Sequence, residues 1–167
     1  MIRIIVALTC LLIAAVSFAN ENGEQGHHFE SNEIGVFFGG TVPFDEIAGG
    51  YPGYTIGLEY ERRLSPTIGA VLIAEYVSEK HKRDNLLAVM FAYRLKNFRL
   101  AGGPGMEIAE KDESGGGTKL SSYFLLATRA NYNIHLRKVT LAPTVGVDLI
   151  GETKTNFVFG VALGYGF

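Results

Sequence analysis

The feature that most limits what this chain can fold into is a side-chain alternation of period two, recurring from about residue 29 to residue 167. Over residues 54–61, Tyr54, Ile56, Leu58 and Tyr60 alternate with Thr55, Gly57, Glu59 and Glu61. Over residues 157–167, Phe157, Phe159, Val161, Leu163, Tyr165 and Phe167 alternate with Val158, Gly160, Ala162, Gly164 and Gly166. Successive side chains of a strand point to opposite faces, so each segment reads as a strand with one bulky apolar face and one small or polar face. The pattern predicts eight strands, at about 29–40, 53–64, 67–77, 85–96, 98–109, 121–134, 139–150 and 156–167. Most are close to the roughly 9–11 residues that a tilted strand needs to cross a bilayer. Helical spans are excluded beyond the N-terminal segment: the longest apolar run there is residues 86–93, whereas a spanning helix needs about 20 residues. The 21 Gly, 8 Tyr and 11 Phe fit a chain of many strands.

The first residues stand apart. Arg3 is followed by the almost wholly apolar residues 4–16, and Ser17-Phe18-Ala19 places small residues three and one before a cut ahead of Asn20. That order is a secretory signal peptide. The expected division is therefore a signal peptide over 1–19, a polar lead-in over 20–28 and a barrel domain over 29–167. Cleavage removes Cys10, the single cysteine, and with it all thiol chemistry. Losing Arg3 also takes the net charge from −2 to −3, which gives no footing for a nucleic-acid partner.

Which face meets solvent decides between a soluble and a membrane barrel. The face opposite the bulky residues carries Gly57, Gly69, Ala88, Ala92, Ala101, Gly103, Ala127, Gly146, Gly160, Ala162, Gly164 and Gly166. Small residues with scattered charges suit the inside of a narrow barrel, so the bulky face is expected outside, in lipid. Connections are short at 65–66, at 97 and at 135–138, and generally longer at 41–52, 78–84 and 110–120, with 151–155 short again. With the N-terminus in the periplasm, Tyr60, Tyr93, Phe98, Tyr132, Tyr165 and Phe167 form one aromatic girdle. Phe38, Tyr54, Tyr76, Phe124 and Phe157 form the other. Pro104 and Pro143 interrupt strands five and seven, and a bulge is expected near one or both.

The C-terminal run Phe157-Val-Phe-Gly-Val-Ala-Leu-Gly-Tyr-Gly-Phe167 resembles the C-terminal signal of Gram-negative outer-membrane proteins, with Tyr165 and Phe167 as its aromatic pair. The whole pattern is similar to the small OmpA/OmpX-type eight-stranded barrels. The resemblance implies an all-β, antiparallel, up-and-down transmembrane barrel, placed in the outer membrane with its short turns periplasmic. It also implies outer-membrane lipid, lipopolysaccharide, periplasmic chaperones and the barrel-insertion machinery as partners of a monomer. It implies no enzyme activity, because barrels of this shape serve several unrelated roles.

The inward parity collects Glu59, Glu61, Arg63, Glu75, Arg94, Arg99, Glu107, Arg129 and Asp148. Buried charges must be paired, so these are expected to form an ion-pair network that plugs the lumen. Glu75 and Arg94, on adjacent strands, are the pair singled out. The network reads first as structural filling and second as a gate for ions or small solutes. No catalytic residue, metal site or cofactor is expected. His27, His28, His81 and His135 lie in the lead-in, a loop and a turn. None is followed by Ser two residues on, which departs from the His-x-Ser pair of lipid A deacylase barrels. A lipid-modifying enzyme is therefore the remotest reading.

Overall fold

A computed structural model of the chain describes residues 31–47, 52–79, 82–112, 118–152 and 154–167. The expected signal peptide and lead-in lie outside the described residues, as do His27, His28 and His81. The described residues form strands joined by turns and bends, with no helix among them: β1 (Asn32–Pro43), β2 (Gly53–Arg63), β3 (Ile68–Glu79), β4 (Lys82–Leu95), β5 (Phe98–Asp112), β6 (Thr118–Tyr132), β7 (Ile134–Leu136), β8 (Val139–Ile150) and β9 (Lys154–Gly166). β6 and β7 are one stave interrupted at Asn133. Both pair with β8 in a single register, Asn131↔Thr144 and Ile134↔Leu141. Eight staves result, each antiparallel to its neighbours, and β1 pairs with β9 to close the sheet.

The registers fix the geometry of closure. From Gly35 the ladder runs through Glu59, Ile73, Ala88, Gly105, Leu125 and Ile150 to Lys154. Pro43 pairs with Asn156, so the circuit re-enters β1 two residues beyond Pro43, at residue 45, ten residues from its start. That stagger on eight strands goes with a tilt of roughly 35–45° and a lumen only wide enough for side chains.

Both prolines correct the sequence reading: neither introduces a bulge. Pro143 pairs with Val161 in an unbroken ladder. Between β4 and β5 the rungs at Val89 and Met90 are missing, and pairing resumes at Phe91↔Gly102 in the same register. A proline deletes a donor without adding a residue, so the ladder loses a bond and keeps its count. The strands also run further than expected at the end carrying the longer loops. β5 and β6 have 15 residues each, and β3 and β4 stay paired to Glu79↔Lys82. At the opposite, turn end, β4–β5 and β7–β8 are joined by two residues each. Lys96 and Arg137 begin these turns at positive φ, 53° and 61°.

The apolar face points outward. Phe91 is 70% exposed, Phe124 67% and Tyr54 62%. Ile56, Leu58, Leu72, Leu87, Val89, Leu100 and Leu163 join them in a band that no water-soluble monomer would expose. Of the expected girdle residues, Tyr60, Tyr93, Tyr165, Phe167, Phe38, Tyr54 and Phe124 are exposed, and Tyr76, Tyr132 and Phe157 are half-buried. Phe98 is a correction: it is buried, paired with Tyr132 directly after a two-residue turn, where an exposed girdle ring was expected.

The inward face holds more than small residues and charges. Val71, Ile73, Leu86, Met90, Leu125 and Ile150 form a buried apolar sector with inward alanines of β4, β5 and β6. Phe37 turns inward beside Ala142, Val158 and Ala162. Its ring has room because of two glycines: a Cβ at Gly39 or Gly160 would lie 2.6 or 2.7 Å from Phe37 Cζ.

A sheet closed in this way has no free edge, and its backbone groups are satisfied internally except at the missing rungs beside Pro104. The folded protein is therefore expected to resist SDS until boiled and to shift its gel mobility on heating. Identical mobility of membrane-extracted protein before and after boiling would contradict the closed barrel.

Candidate functional site in the barrel lumen

Each polar lumen residue occupies an inward position of the period-two alternation, and the register then decides which of them meet. The nine residues expected in the lumen fall into three groups along the barrel. At the turn end, the Glu61 carboxylate accepts from Arg94 Nε at 2.8 Å and Arg94 Nη2 at 2.5 Å, a forked pair, and from Arg99 Nη1 at 2.7 Å. Arg99 also donates to Glu59, and its Nε and Nη2 donate to Asn131 Oδ1 at 3.2 and 3.0 Å. Asn131 Nδ2 donates in turn to Thr144 Oγ1 at 2.5 Å. Arg63 donates to Glu33 Oε2 at 2.6 Å and lies 4.0 Å from Glu61 Oε1.

In the middle, Arg129 holds two carboxylates. It donates to Asp148 Oδ1 and Oδ2 at 2.5 and 3.2 Å and to Glu75 Oε2 at 2.8 Å. At the loop end, Lys154 Nζ reaches Glu107 Oε1 at 3.0 Å and Asp84 Oδ2 at 3.5 Å. Arg94, Arg99 and Arg129 are all at most 6% exposed. Charged hydrogen bonds at such depth are strong, and an unpaired charge there is correspondingly costly.

One expected partnership fails. Glu75 and Arg94 sit in different groups, because Glu75 faces Leu86 across the β3–β4 ladder, while Arg94 lies eight residues further along β4. At about 3.3 Å per residue, that is roughly 26 Å along the strand. Five participants escaped the sequence reading. Glu33 alternates with Gly35, Phe37 and Gly39, so its parity was available. Asp84 and Lys154 fall in segments expected to be loops, which became strand. Asn131 and Thr144 have lumen parity but no charge to draw attention.

The small inward residues have a specific task. A Cβ at Gly57 would lie 2.7 Å from Glu75 Cγ, one at Gly69 2.7 Å from Glu61 Oε1, and one at Gly146 2.8 Å from Arg129 Cδ. The ionic side chains lie over glycines of the neighbouring strand, and a narrow lumen can hold them only for that reason. Among the described residues, no group of three or more His, Cys, Asp or Glu side chains converges as a metal site would. His135, expected in a turn, lies on β7 and hydrogen-bonds Thr140 Oγ1 of β8 at 3.2 Å.

The groups make a thermodynamic prediction. Arg129→Met leaves two buried carboxylates without their cation and should cost about 3–5 kcal/mol, whereas the triple change Glu75→Leu, Asp148→Leu, Arg129→Met should cost much less. Glu75→Gln and Arg94→Gln, taken from different groups, should be additive within about 0.5 kcal/mol. Urea unfolding from detergent micelles measures both. Strong coupling between Glu75 and Arg94 would contradict the pairing described.

Comparison of the sequence with protein-family models, and with curated protein sequences, finds no match. Comparison of the structure with solved structures finds bacterial surface barrels. The N-terminal β-barrel domain of Pseudomonas aeruginosa OprF aligns with TM-score 0.57 and 12% identity, covering 83% of this chain and 98% of that one. Neisserial surface protein A aligns with TM-score 0.61 and 10% identity, covering 81% and 96%. Ail, the attachment invasion locus protein of Yersinia pestis, solved with the heparin analogue sucrose octasulfate, aligns with TM-score 0.55 and 15% identity, covering 83% and 97%. At these identities the likeness concerns architecture. In fold, the chain is a closed eight-stranded antiparallel β-barrel of the bacterial outer-membrane type.

Proposed function

We propose that the protein is a non-catalytic integral barrel of the outer membrane, plugged by its own ion pairs, with a structural or surface-interaction role. The observation that carries this reading is the stack of three ion-pair groups inside a wall of stagger ten. Guanidinium groups cross the lumen near the turn end and in the middle, and Lys154 joins two carboxylates at the loop end. A lumen this narrow, filled by paired charges and an apolar sector, leaves its charged groups to hold the wall together rather than to act on a substrate.

The surface-interaction part rests on the hairpins β3–β4 and β5–β6, which stay paired beyond the length a bilayer requires and carry the loop end outward. The partners that follow from this reading are outer-membrane lipid and lipopolysaccharide around a monomer, with periplasmic chaperones and the insertion machinery during assembly.

A narrow gated pore is the alternative. Lys154 favours it, because its side chain is 30% exposed and it is the least buried member of the network. Planar-bilayer recording separates the two. The plugged barrel should give negligible conductance, both unaltered and as Arg94→Ala. Discrete channel openings in the unaltered protein, or a clear conductance rise in Arg94→Ala, would favour the pore.

A further inference from the structure

The exposed charges of the described residues are sorted by end. At the loop end they are mixed, with Asp45, Glu46 and Glu152 beside Arg83. At the turn end they are Arg62, Lys96, Arg137 and Lys138, four cations with no exposed carboxylate side chain among them. They are also spread around the wall: Arg62 on β2, Lys96 between β4 and β5, Arg137 and Lys138 between β7 and β8.

Their depth is set by the aromatic residues beside them. Tyr60, Tyr93 and Tyr165 are exposed on the outer surface at this end, where tyrosine marks the boundary between hydrocarbon and headgroups. Arg62 follows Tyr60 on the same outward face, and one acceptor ties them together: Asn32 Oδ1 accepts from Tyr60 Oη at 2.9 Å and from Arg62 Nη1 at 2.8 Å. Lys138 Nζ lies 6.0 Å from the centroid of the Tyr165 ring. The cations therefore sit just beyond the tyrosine belt, at the level of lipid phosphates.

We propose that this ring binds the phosphodiester headgroups of anionic phospholipids in the leaflet that meets the turn end. The proposal rests on the bilayer reading of the barrel given above. The sideways direction of Arg62 favours lipid over a polymer lying beneath the barrel mouth, because such a polymer would meet the turn tips alone. Each Lys or Arg near an anionic membrane surface is worth about a fivefold preference at physiological salt. The preference should fall steeply towards 1 M salt, where the Debye length is about 3 Å.

The test reconstitutes the full chain into vesicles of phosphatidylcholine containing a minor fraction of phosphatidylglycerol. Spin-labelled forms of each lipid then report which one occupies the shell around the protein. The unaltered barrel should enrich phosphatidylglycerol severalfold over the bulk. That enrichment should collapse in high salt and in the combined variant Arg62→Gln, Lys96→Asn, Arg137→Asn, Lys138→Gln. Asparagine is chosen where φ is positive because it tolerates that conformation. Should the combined variant misfold, the salt titration of the unaltered protein carries the test alone. Equal occupancy by the two lipids, or an enrichment indifferent to salt or to the four substitutions, would overturn the proposal. So would variant-sensitive sedimentation with purified peptidoglycan in the absence of lipid selectivity. Failure to enter any vesicle would instead overturn the bilayer reading beneath it.

Discussion

The seam between β1 and β9, continuous from Glu33↔Gly166 to Pro43↔Asn156, turns a sheet with two open edges into a wall with none. In hydrocarbon each unsatisfied backbone donor or acceptor costs several kcal/mol, so a sheet can sit in a bilayer only when closed. Closure also dictates the side chains. Once the backbone is satisfied, the outer face is free to be apolar all round, as Phe91, Phe124 and Leu58 make it. Every charge on the wall must then lie inside or beyond the membrane edge.

The stagger that accompanies closure sets the inner width, and the width explains the pairing of long ionic chains with glycine. Arg129 reaches across to Glu75 because Gly57 and Gly146 offer no Cβ where those chains run. Glu61 gathers two arginines under the same constraint, with Gly69 beneath it. Removing one charge from such a group strands the rest, while replacing the group wholesale does not. The lumen chemistry is therefore organised in units larger than residue pairs. The apolar sector around Met90 and Leu125 fills the remainder, so the interior is part salt-bridge network and part ordinary core.

Strand number and inside-out polarity were legible in the sequence because both depend on parity, and parity is local. Glu61 points inward for the same reason that Tyr60 points outward. Pairing was not legible, because it depends on register, which the turns and the closing seam set between segments distant in the chain. Glu75 and Arg94 share a face yet never meet, whereas Glu75 and Arg129 meet across 54 positions of sequence. Proline misled for a related reason. Pro104 signals a lost hydrogen bond, but whether the strand adds a residue to compensate is decided by its neighbours. Phe98 shows the limit of parity itself, since a ring beside a tight turn can be covered even on the outward face.

Phe37 and Phe38 give the most direct test of the central claim, that the apolar face meets lipid and the small and charged face lines the interior. They are adjacent in sequence, yet Phe37 is 5% and Phe38 52% exposed. The chain contains no tryptophan, so Phe37→Trp and Phe38→Trp each place one fluorophore on one face of β1. In vesicles whose acyl chains carry bromine, the fluorescence of Phe38→Trp should be strongly quenched and that of Phe37→Trp left nearly untouched. Equal quenching, or the reverse order, would contradict the barrel described.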